Sequence, residues 1–241
     1  MEWVEDARLA AGPEATWYLE AAFTPGAHLG TVYDDPTTPV VVTGVEELTA
    51  IRVPSGRLVV DAPWDDDDVW RYEEGLPTRP PRELAVSIPP GVYRVEIAWG
   101  AGPYEFFGEQ FDGAECAATR LCISDDPVVG WEMGLGVDED IDQLQPGDEP
   151  RFFSDANVGC FADAGAWTTL SAPFRTFVDG IPAPRDTEQL ADGCERVRDE
   201  SKRADLVTFG AESGGVVWLG RTKTGDVAAI VVTSGMASAK A

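Results

Sequence analysis

The chain is poor in the basic side chains that catalysis and nucleic-acid binding commonly use. It contains one histidine, His28, and three lysines, Lys202, Lys223 and Lys240. Its 43 acidic residues outnumber the 18 lysines and arginines, which gives a formal net charge of −25. Binding to DNA or RNA needs clustered Lys and Arg that neutralise phosphates. We therefore predict that nucleic acid is not a partner.

Cysteine is also scarce, with Cys116, Cys122, Cys160 and Cys194 in the whole chain. No Cys-x-x-Cys pair and no Cys/His cluster occurs, so we predict no metal site and no cofactor. Cys116 and Cys122 lie on one predicted strand roughly 20 Å apart, whereas a disulfide needs Cα atoms within about 7 Å. We interpret all four as reduced thiols, as is typical of a cytoplasmic protein.

Long apolar runs are missing as well. None approaches the roughly 18 residues that a membrane span needs, and the start "MEWVEDARLAAG" carries acids where a secretory signal carries bases. We predict a soluble cytoplasmic protein without a membrane partner. Its 241 residues are enough for one large domain or two small ones, and its apolar content of 44% is ordinary for a globular core. We predict one globular domain over 1–235, followed by a disordered tail over 236–241.

Short segments rich in β-branched and aromatic residues alternate with Pro, Gly and Asp. This spacing predicts a mainly β (α+β) protein with antiparallel β-sandwich or barrel-like sheets. In "VYRVEIAW" (92–99), apolar and wetter positions alternate as in a half-buried strand. The predicted strands are 17–23, 40–44, 48–53, 56–62, 83–88, 92–99, 114–124, "ADLVTFG", "GVVWLGRTKTGD" and "VAAIVVTSG".

We predict about two helices, both in the second half of the chain. They are "FADAGAWTTL" (161–170) and "DTEQLADGCERVRDESKR" (186–203), the latter beginning with an Asp cap followed three residues later by Gln189. Further along, "RTKTGDVAAI" predicts a hairpin with Gly225 and Asp226 at its turn.

The segment "FFSDANVGCFADAGAW" (152–167) concentrates two carboxylates, an amide and a thiol. Asp155 and Asn157 match two EF-hand positions, but Cys160 replaces the required Gly and Ala166 stands where a Glu is needed. We favour a structural turn, in which Asp155 and Asn157 bond the backbone and Gly159 supplies an unusual φ/ψ. The acids, Asp163 among them, would then favour the positive end of the following helix.

A nucleophilic thiol is the alternative interpretation of this segment. Cys160 would need a lowered pKa and a base within hydrogen-bond reach, and His28 is the one imidazole available. We keep Cys160 and His28 as weak catalytic candidates. Clustered carboxylates are so abundant that no particular pair stands out for acid/base catalysis.

Aromatic residues beside acids give a second kind of candidate site. Trp64 and Trp70 flank the aspartate run 65–68, and Trp131 precedes Glu132. Aromatic rings and carboxylates together can hold a cationic partner. We list Trp64, Trp70, Trp131, Glu132, Asp155, Asn157 and Asp163 as candidate binding residues.

Five ordered blocks carry a family resemblance: "VPSGRLVVDAP", "PPGVYRVEIAW", "CAATRLCISDDPVVGWEMGL", "FFSDANVGCFADAGAW" and "VVWLGRTKTGDVAAIVV". In order and spacing they resemble the bacterial family known as domain of unknown function 4241, over about 45–235. The resemblance implies a single, largely β cytosolic domain without an established activity. This chain has Ser213-Gly214-Gly215 where that family typically has Gly-Asp-Gly.

Two function classes remain. The first is a non-enzymatic binding protein, such as an immunity or inhibitor protein whose acidic surface blocks a basic toxin or nuclease. The second is a hydrolase-like enzyme that uses Cys160 or clustered carboxylates. The acidity and the absence of phosphate-loop, hydrolase-elbow and zincin motifs favour the first.

Overall fold

The computed structural model describes residues 7–238 with interruptions. The residues outside the description are 1–6, 33–34, 64–78, 103, 107–108, 112, 146–148, 155, 176, 179–180, 183–185, 192, 235–236 and 239–241. Two helices are described, α1 (Pro13–Ala21) and α2 (Trp167–Ser171). Short 3₁₀ turns cover Ile141–Gln143, Ala164–Ala166 and Ala172–Arg175.

Strands dominate the described part of the chain. In chain order they are β1 (His28–Val32), β2 (Asp35–Val53), β3 (Leu58–Asp61), β4 (Gly91–Ala101), β5 (Tyr104–Phe106), β6 (Glu109–Phe111), β7 (Ala114–Cys122), β8 (Gly130–Met133), β9 (Arg151–Phe152), β10 (Val158–Asp163), β11 (Phe177–Val178), β12 (Ile181–Pro182), β13 (Glu188–Ala191), β14 (Cys194–Asp199), β15 (Ala204–Gly210), β16 (Gly215–Arg221), β17 (Val227–Thr233) and β18 (Ala237–Ser238). Within the described residues they build two large antiparallel sheets and two two-stranded ones, β5-β6 and β11-β12. The prediction of a mainly β fold is therefore confirmed.

The chain divides into two units. Unit 1 comprises residues 1–48, 94–133 and 216–241, and unit 2 comprises 49–93 and 134–215. The sheet of unit 1 has the strand order β18-β1-β2-β4-β7-β17-β16-β8. The sheet of unit 2 has the order β13-β14-β15-β10-β3.

Strand β4 follows the predicted alternation as far as Ile97. Tyr93, Val95 and Ile97 are buried while Val92 and Arg94 are exposed. The β4–β7 register then shifts between Ala98 and Trp99, which buries Ala98 and leaves Trp99 half-buried. The predicted hairpin is confirmed as β16–β17, and its turn contains Gly225 at φ 88°.

α1 corrects the prediction of a strand over 17–23. Gly12 is the N-cap and Pro13 occupies the first turn, where its missing N–H removes no helical hydrogen bond. The helix buries Tyr18 and Leu19, and the Tyr18 hydroxyl donates to the Ala117 carbonyl at 3.2 Å. Burial, followed by the nearby Cys116 thiol, raises the pKa of Tyr18.

In unit 2, both faces of the central strands are buried. On one face Cys160, Ala162 and Leu206 pack with Trp167 and Leu170 of α2. On the other face Phe161 stacks against Phe209 with ring centroids 4.8 Å apart. Strands buried on both sides read as continuous apolar runs, as "ADLVTFG" does.

The predicted helix over 186–203 is wrong, because this segment forms the hairpin β13–β14. Gly193 adopts φ 70° at its turn, and Glu188 lies opposite Arg196. The predicted helix over 161–170 is partly right. Residues 161–163 belong to β10, and the chain turns helical only from Ala164.

Two other segments of the chain, 83–88 and the tail, form only short strand pairings. The predicted strand 83–88 is reduced to isolated bridges at Glu83 and Leu84, which pair with Val59 and Gly136. In the tail, Ala237 and Ser238 form β18 beside β1. The other tail residues, 236 and 239–241, lie outside the described residues.

Candidate functional site

The turn that precedes β10 is held by hydrogen bonds between side chains and the backbone. The Ser154 hydroxyl donates to the Val158 carbonyl at 2.8 Å and accepts from the Val158 N–H at 3.0 Å. Asn157 adopts φ 55°, a left-handed conformation that Asn tolerates better than most residues. Its Oδ1 accepts from the Ser213 N–H at 3.0 Å. Asn157 therefore forms a hydrogen bond with the backbone, as predicted. Asp155 lies outside the described residues.

Gly159 has a different role from the predicted one. It lies within β10 and is absent from the glycines with positive φ. A Cβ atom there would come within 2.6 Å of the Phe209 ring and 2.8 Å of the Phe152 ring. Gly159 is required because two phenylalanines pack against its backbone, and the predicted special φ/ψ is wrong.

Cys160 is enclosed in the core of unit 2, with no exposed surface. Burial, followed by the charge of Asp61, raises the pKa of its thiol well above the ordinary value. Asp61 is itself buried and accepts from the Arg82 N–H at 2.7 Å and from Arg79 at 2.9 Å. A protonated, enclosed thiol is a poor nucleophile.

His28, the proposed partner of Cys160, begins β1 in unit 1 and is exposed. Asp163 ends β10 and is buried, with its carboxylate accepting from the Ser55 N–H at 2.8 Å. It precedes the 3₁₀ turn without a side-chain cap. Asp163 thus ties two segments of unit 2 together.

Trp131 and Glu132 lie on β8 in unit 1, and both are buried. The Trp131 ring lies over Gly220, whose Cβ position is 3.0 Å from the ring. Glu132 accepts from the Arg221 Nε at 2.8 Å. Contact of these two residues with a partner stays a prediction. Trp64 and Trp70 lie outside the described residues.

The exposed face of α1 combines an aromatic ring with two carboxylates, a pattern that the sequence interpretation placed elsewhere. Trp17 is 46% exposed, and Glu14 and Glu20 are exposed on either side of it. Residues three apart are neighbours on a helix, so the three side chains share one face. Neither glutamate forms an ion pair within the described residues. We refer to Glu14, Trp17 and Glu20 as the helix face.

Arginines elsewhere in each unit are matched with carboxylates. Arg52 holds Asp205 at 2.7 Å and Glu200 at 2.9 Å, and these two acids raise the pKa of Arg52 through hydrogen bonds. Further pairs are Arg57–Glu83, Arg79–Asp61, Arg82–Glu139, Arg94–Glu96, Arg120–Glu96, Arg151–Glu149, Arg196–Glu188, Arg198–Glu188 and Arg221–Glu132. Because the arginines are already bonded to acids, the excess acids set the surface charge.

The described residues carry neither a metal-binding cluster nor a membrane-spanning helix. They contain no group of three or more His, Cys, Asp or Glu side chains arranged to hold a metal ion. Within the same residues, no helix has the length and apolar character needed to cross a membrane.

The fold and these contacts define a strand-rich, strongly acidic protein whose cysteine candidate is buried. The chain belongs to the family described as "Protein of unknown function (DUF4241)", whose model matches residues 51–235. The predicted family resemblance is therefore confirmed. No curated protein and no solved structure matches the chain.

Proposed function

We propose that this protein is a cytoplasmic, non-enzymatic binding protein for a basic protein partner, such as a toxin or nuclease that it holds inactive. One observation carries the proposal. The chain has a net charge of −25, and most of the arginines in its described part are already bonded to its own carboxylates. The uncompensated acids attract a basic partner and accelerate encounter with it.

The helix face is the contact point that we propose for this partner. An exposed Trp is the residue type that most often contributes a large share of interface energy. With Glu14 and Glu20 beside it, Trp17 can stack against a Lys or Arg side chain while the carboxylates pair with its charge. Charge complementarity therefore supports a basic protein as the class of partner.

The position of Cys160 gives no support to the hydrolase alternative. Cys160 would have to become exposed and lose a proton, whereas burial and Asp61 oppose both. Partner binding uses groups that are already exposed.

The test is a pull-down from lysate of the native host, with the wild-type chain as bait, at about 50 mM and about 300 mM salt. We expect one basic protein near stoichiometry, released as salt rises. The Trp17→Ala and Glu14→Gln/Glu20→Gln variants should each lower its affinity about tenfold or more.

The matched control is Glu47→Gln/Glu212→Gln, which removes two exposed charges outside the helix face. We expect it to weaken binding by no more than about threefold, through long-range attraction alone. Equal weakening by both double variants would contradict the helix face as the contact. A partner that is acidic, or one whose binding strengthens with salt, would contradict the proposed function itself.

A further inference from the structure

A cavity of about 480 Å³ lies in unit 2 among three chain segments, 79–83, 136–139 and 151–153. Every residue that lines it belongs to this unit. Sites for small organic ligands have volumes of about 300 to 1,000 Å³. The cavity is therefore large enough for a small molecule.

Backbone contacts fix the walls of this cavity. The Val137 N–H donates to the Glu83 carbonyl at 2.8 Å, which joins the first two segments. In the third segment Phe152 is buried, with its ring beside Gly159, and Phe153 is 68% exposed. Successive strand residues point in opposite directions, so anchoring Phe152 in the core turns Phe153 outward.

Three arginines line the cavity, and each is held by a carboxylate. In a chain with so large an excess of acids, this is a local concentration of positive groups. The pairs are Arg79 with Asp61 at 2.9 Å, Arg82 with Glu139 at 2.8 Å and Arg151 with Glu149 at 2.6 Å.

Two of the carboxylates in the lining already accept hydrogen bonds from arginines. Both Glu83 oxygens accept from Arg57, at 2.7 and 2.5 Å. Both Glu139 oxygens accept from Arg82, and one also accepts from the Gly136 N–H at 2.7 Å. A cationic ligand would therefore have to compete with Arg57 and Arg82 for these two acids.

Two of the arginines keep unused hydrogen-bond donors. Arg82 is 8% exposed, and its Nη1 has no hydrogen-bond partner among the described residues. Arg151 bonds Glu149 through Nη2, while its side chain is 42% exposed. A guanidinium carries five N–H donors, so Arg151 has several left for a ligand. Unmet buried donors are costly, which favours a ligand rich in acceptor atoms.

Apolar groups stand at the rim of the same cavity. Val137 is 55% exposed and Phe153 is 68% exposed, both unusual for large apolar side chains. A ligand that covers them would bury apolar surface while its polar end meets the arginines. Asp138, also in the lining, is exposed and disfavours an anion nearby.

We propose that this cavity binds a small amphipathic oxyanion, a carboxylate or a phosphate ester that carries an apolar group. Arg151 and Arg82 provide donors to the oxyanion, and Phe153 and Val137 cover the apolar part. This site is separate from the helix face, so it does not depend on the proposed protein partner.

The test titrates the full-length chain calorimetrically with two anionic probes, 3-phenylpropionate and phenyl phosphate. Two probes of the same shape without an anion, 3-phenylpropanol and 3-phenylpropylamine, are compared under the same conditions. We expect at least one anion to bind at least about tenfold more tightly than both, and whichever anion binds better identifies the oxyanion class.

Variants at exposed positions locate the binding without disturbing the fold. Arg151→Gln should weaken anion binding about tenfold, whereas Asp138→Asn should strengthen it by removing a repelling charge. The matched control is Arg198→Gln, since Arg198 is 45% exposed, is paired with Glu188 at 3.0 Å and lies outside the lining. The control should change binding less than about twofold.

Three results would overturn the proposal. One is the absence of binding by either anion at about 10 mM, where even a weak site with a millimolar Kd fills. Another is binding of the alcohol or the amine as tightly as the anions. The third is an equal loss in Arg151→Gln and Arg198→Gln, which would place the anion elsewhere on the surface.

Discussion

Cys160 and Cys122 provide a direct test of thiol chemistry at the level of single residues. Cys122 is half-buried beside Glu96, and burial followed by the Glu96 charge raises the pKa of its thiol. Cys160 is fully buried, and the pKa of its thiol is also raised. At pH 7.5 we expect a thiol reagent to modify Cys122 slowly and Cys160 only after unfolding, as measured by mass spectrometry.

Serine variants identify which cysteine accounts for each phase of the reaction with the thiol reagent. Cys122→Ser should remove the first phase seen in the native protein, and Cys160→Ser should leave it unchanged. Modification of Cys160 in the native protein faster than of Cys122 would show an accessible, activated thiol and would revive the hydrolase interpretation.

The backbone at Gly214 leaves no room for a side chain. It adopts φ 97°, and a Cβ atom there would lie 2.1 Å from the Phe152 carbonyl oxygen. We expect Gly214→Ala to lower the free energy of unfolding by about 3 kcal/mol or more, since backbone strain and a steric clash add. Urea denaturation measures the change.

Two other glycines distinguish the free-energy cost of backbone strain from that of a steric clash. Gly193 has φ 70° with nothing within 4 Å of its Cβ position, so Gly193→Ala should cost about 1 kcal/mol. Gly113 has neither a positive φ nor a neighbour within 4 Å of its Cβ position, so Gly113→Ala should be nearly neutral. An equal loss for Gly214→Ala and Gly193→Ala would contradict the clash with Phe152.

At the scale of elements, local patterns predicted the strands better than the helices. β4 and β7 follow from alternation and β-branched residues, and these signals are local. The segment 186–203 carries a capping pattern, yet Glu188 and Arg196 meet across a hairpin. Charges at these positions are compatible with a helix or with a hairpin, so the sequence alone does not distinguish the two. Pairing of β14 with the buried strand β15 favours the hairpin.

Some residues of the candidate site could be predicted from the sequence, and others could not. Asn157 was recognisable, because Asn in a turn has a local mechanism. Trp17 was missed, because the strand predicted over 17–23 placed Trp17 and Glu20 on opposite faces, whereas α1 puts them on one. The cavity was not predictable, since Arg82 and Arg151 lie far apart in sequence and only the fold brings them together.

Strands β4 and β7 carry a charge pair whose pH dependence can be derived. Glu96 lies opposite Arg120, and it accepts from the Arg94 Nε at 2.8 Å and from the Arg120 Nε at 3.0 Å. Burial alone would raise the pKa of Glu96, but the hydrogen bonds and charges of both arginines outweigh it and lower this pKa. The folded state therefore favours the ionised carboxylate.

The Glu96→Gln variant tests this pair by urea denaturation at several pH values. We expect it to lower the free energy of unfolding by about 1 kcal/mol at pH 7. Because the pKa is lowered on folding, the difference should persist above about pH 4.3, the unfolded value, and vanish as pH falls through the folded pKa. Exposed Glu47→Gln is the control, and a difference that grows on acidification would contradict this account.

For the whole molecule, the net charge of −25 makes self-repulsion a general cost of folding. Salt screens this repulsion, and it also weakens the exposed arginine pairs. Each exposed pair is worth about 0 to 1 kcal/mol, whereas repulsion acts among all of the unmatched acids. We expect repulsion to dominate at pH 7, so that unfolding becomes harder as salt is added.

Urea denaturation at pH 7 should show the free energy of unfolding rising by about 1 to 3 kcal/mol between 10 mM and 500 mM NaCl. The rise should be smaller at pH 5, where some of the carboxylates are protonated and less repulsion remains to be screened. KCl and NaCl should act alike if screening is the cause, and a difference between them would indicate binding of a specific ion. A fall in stability with salt would mean that the ion pairs outweigh the repulsion.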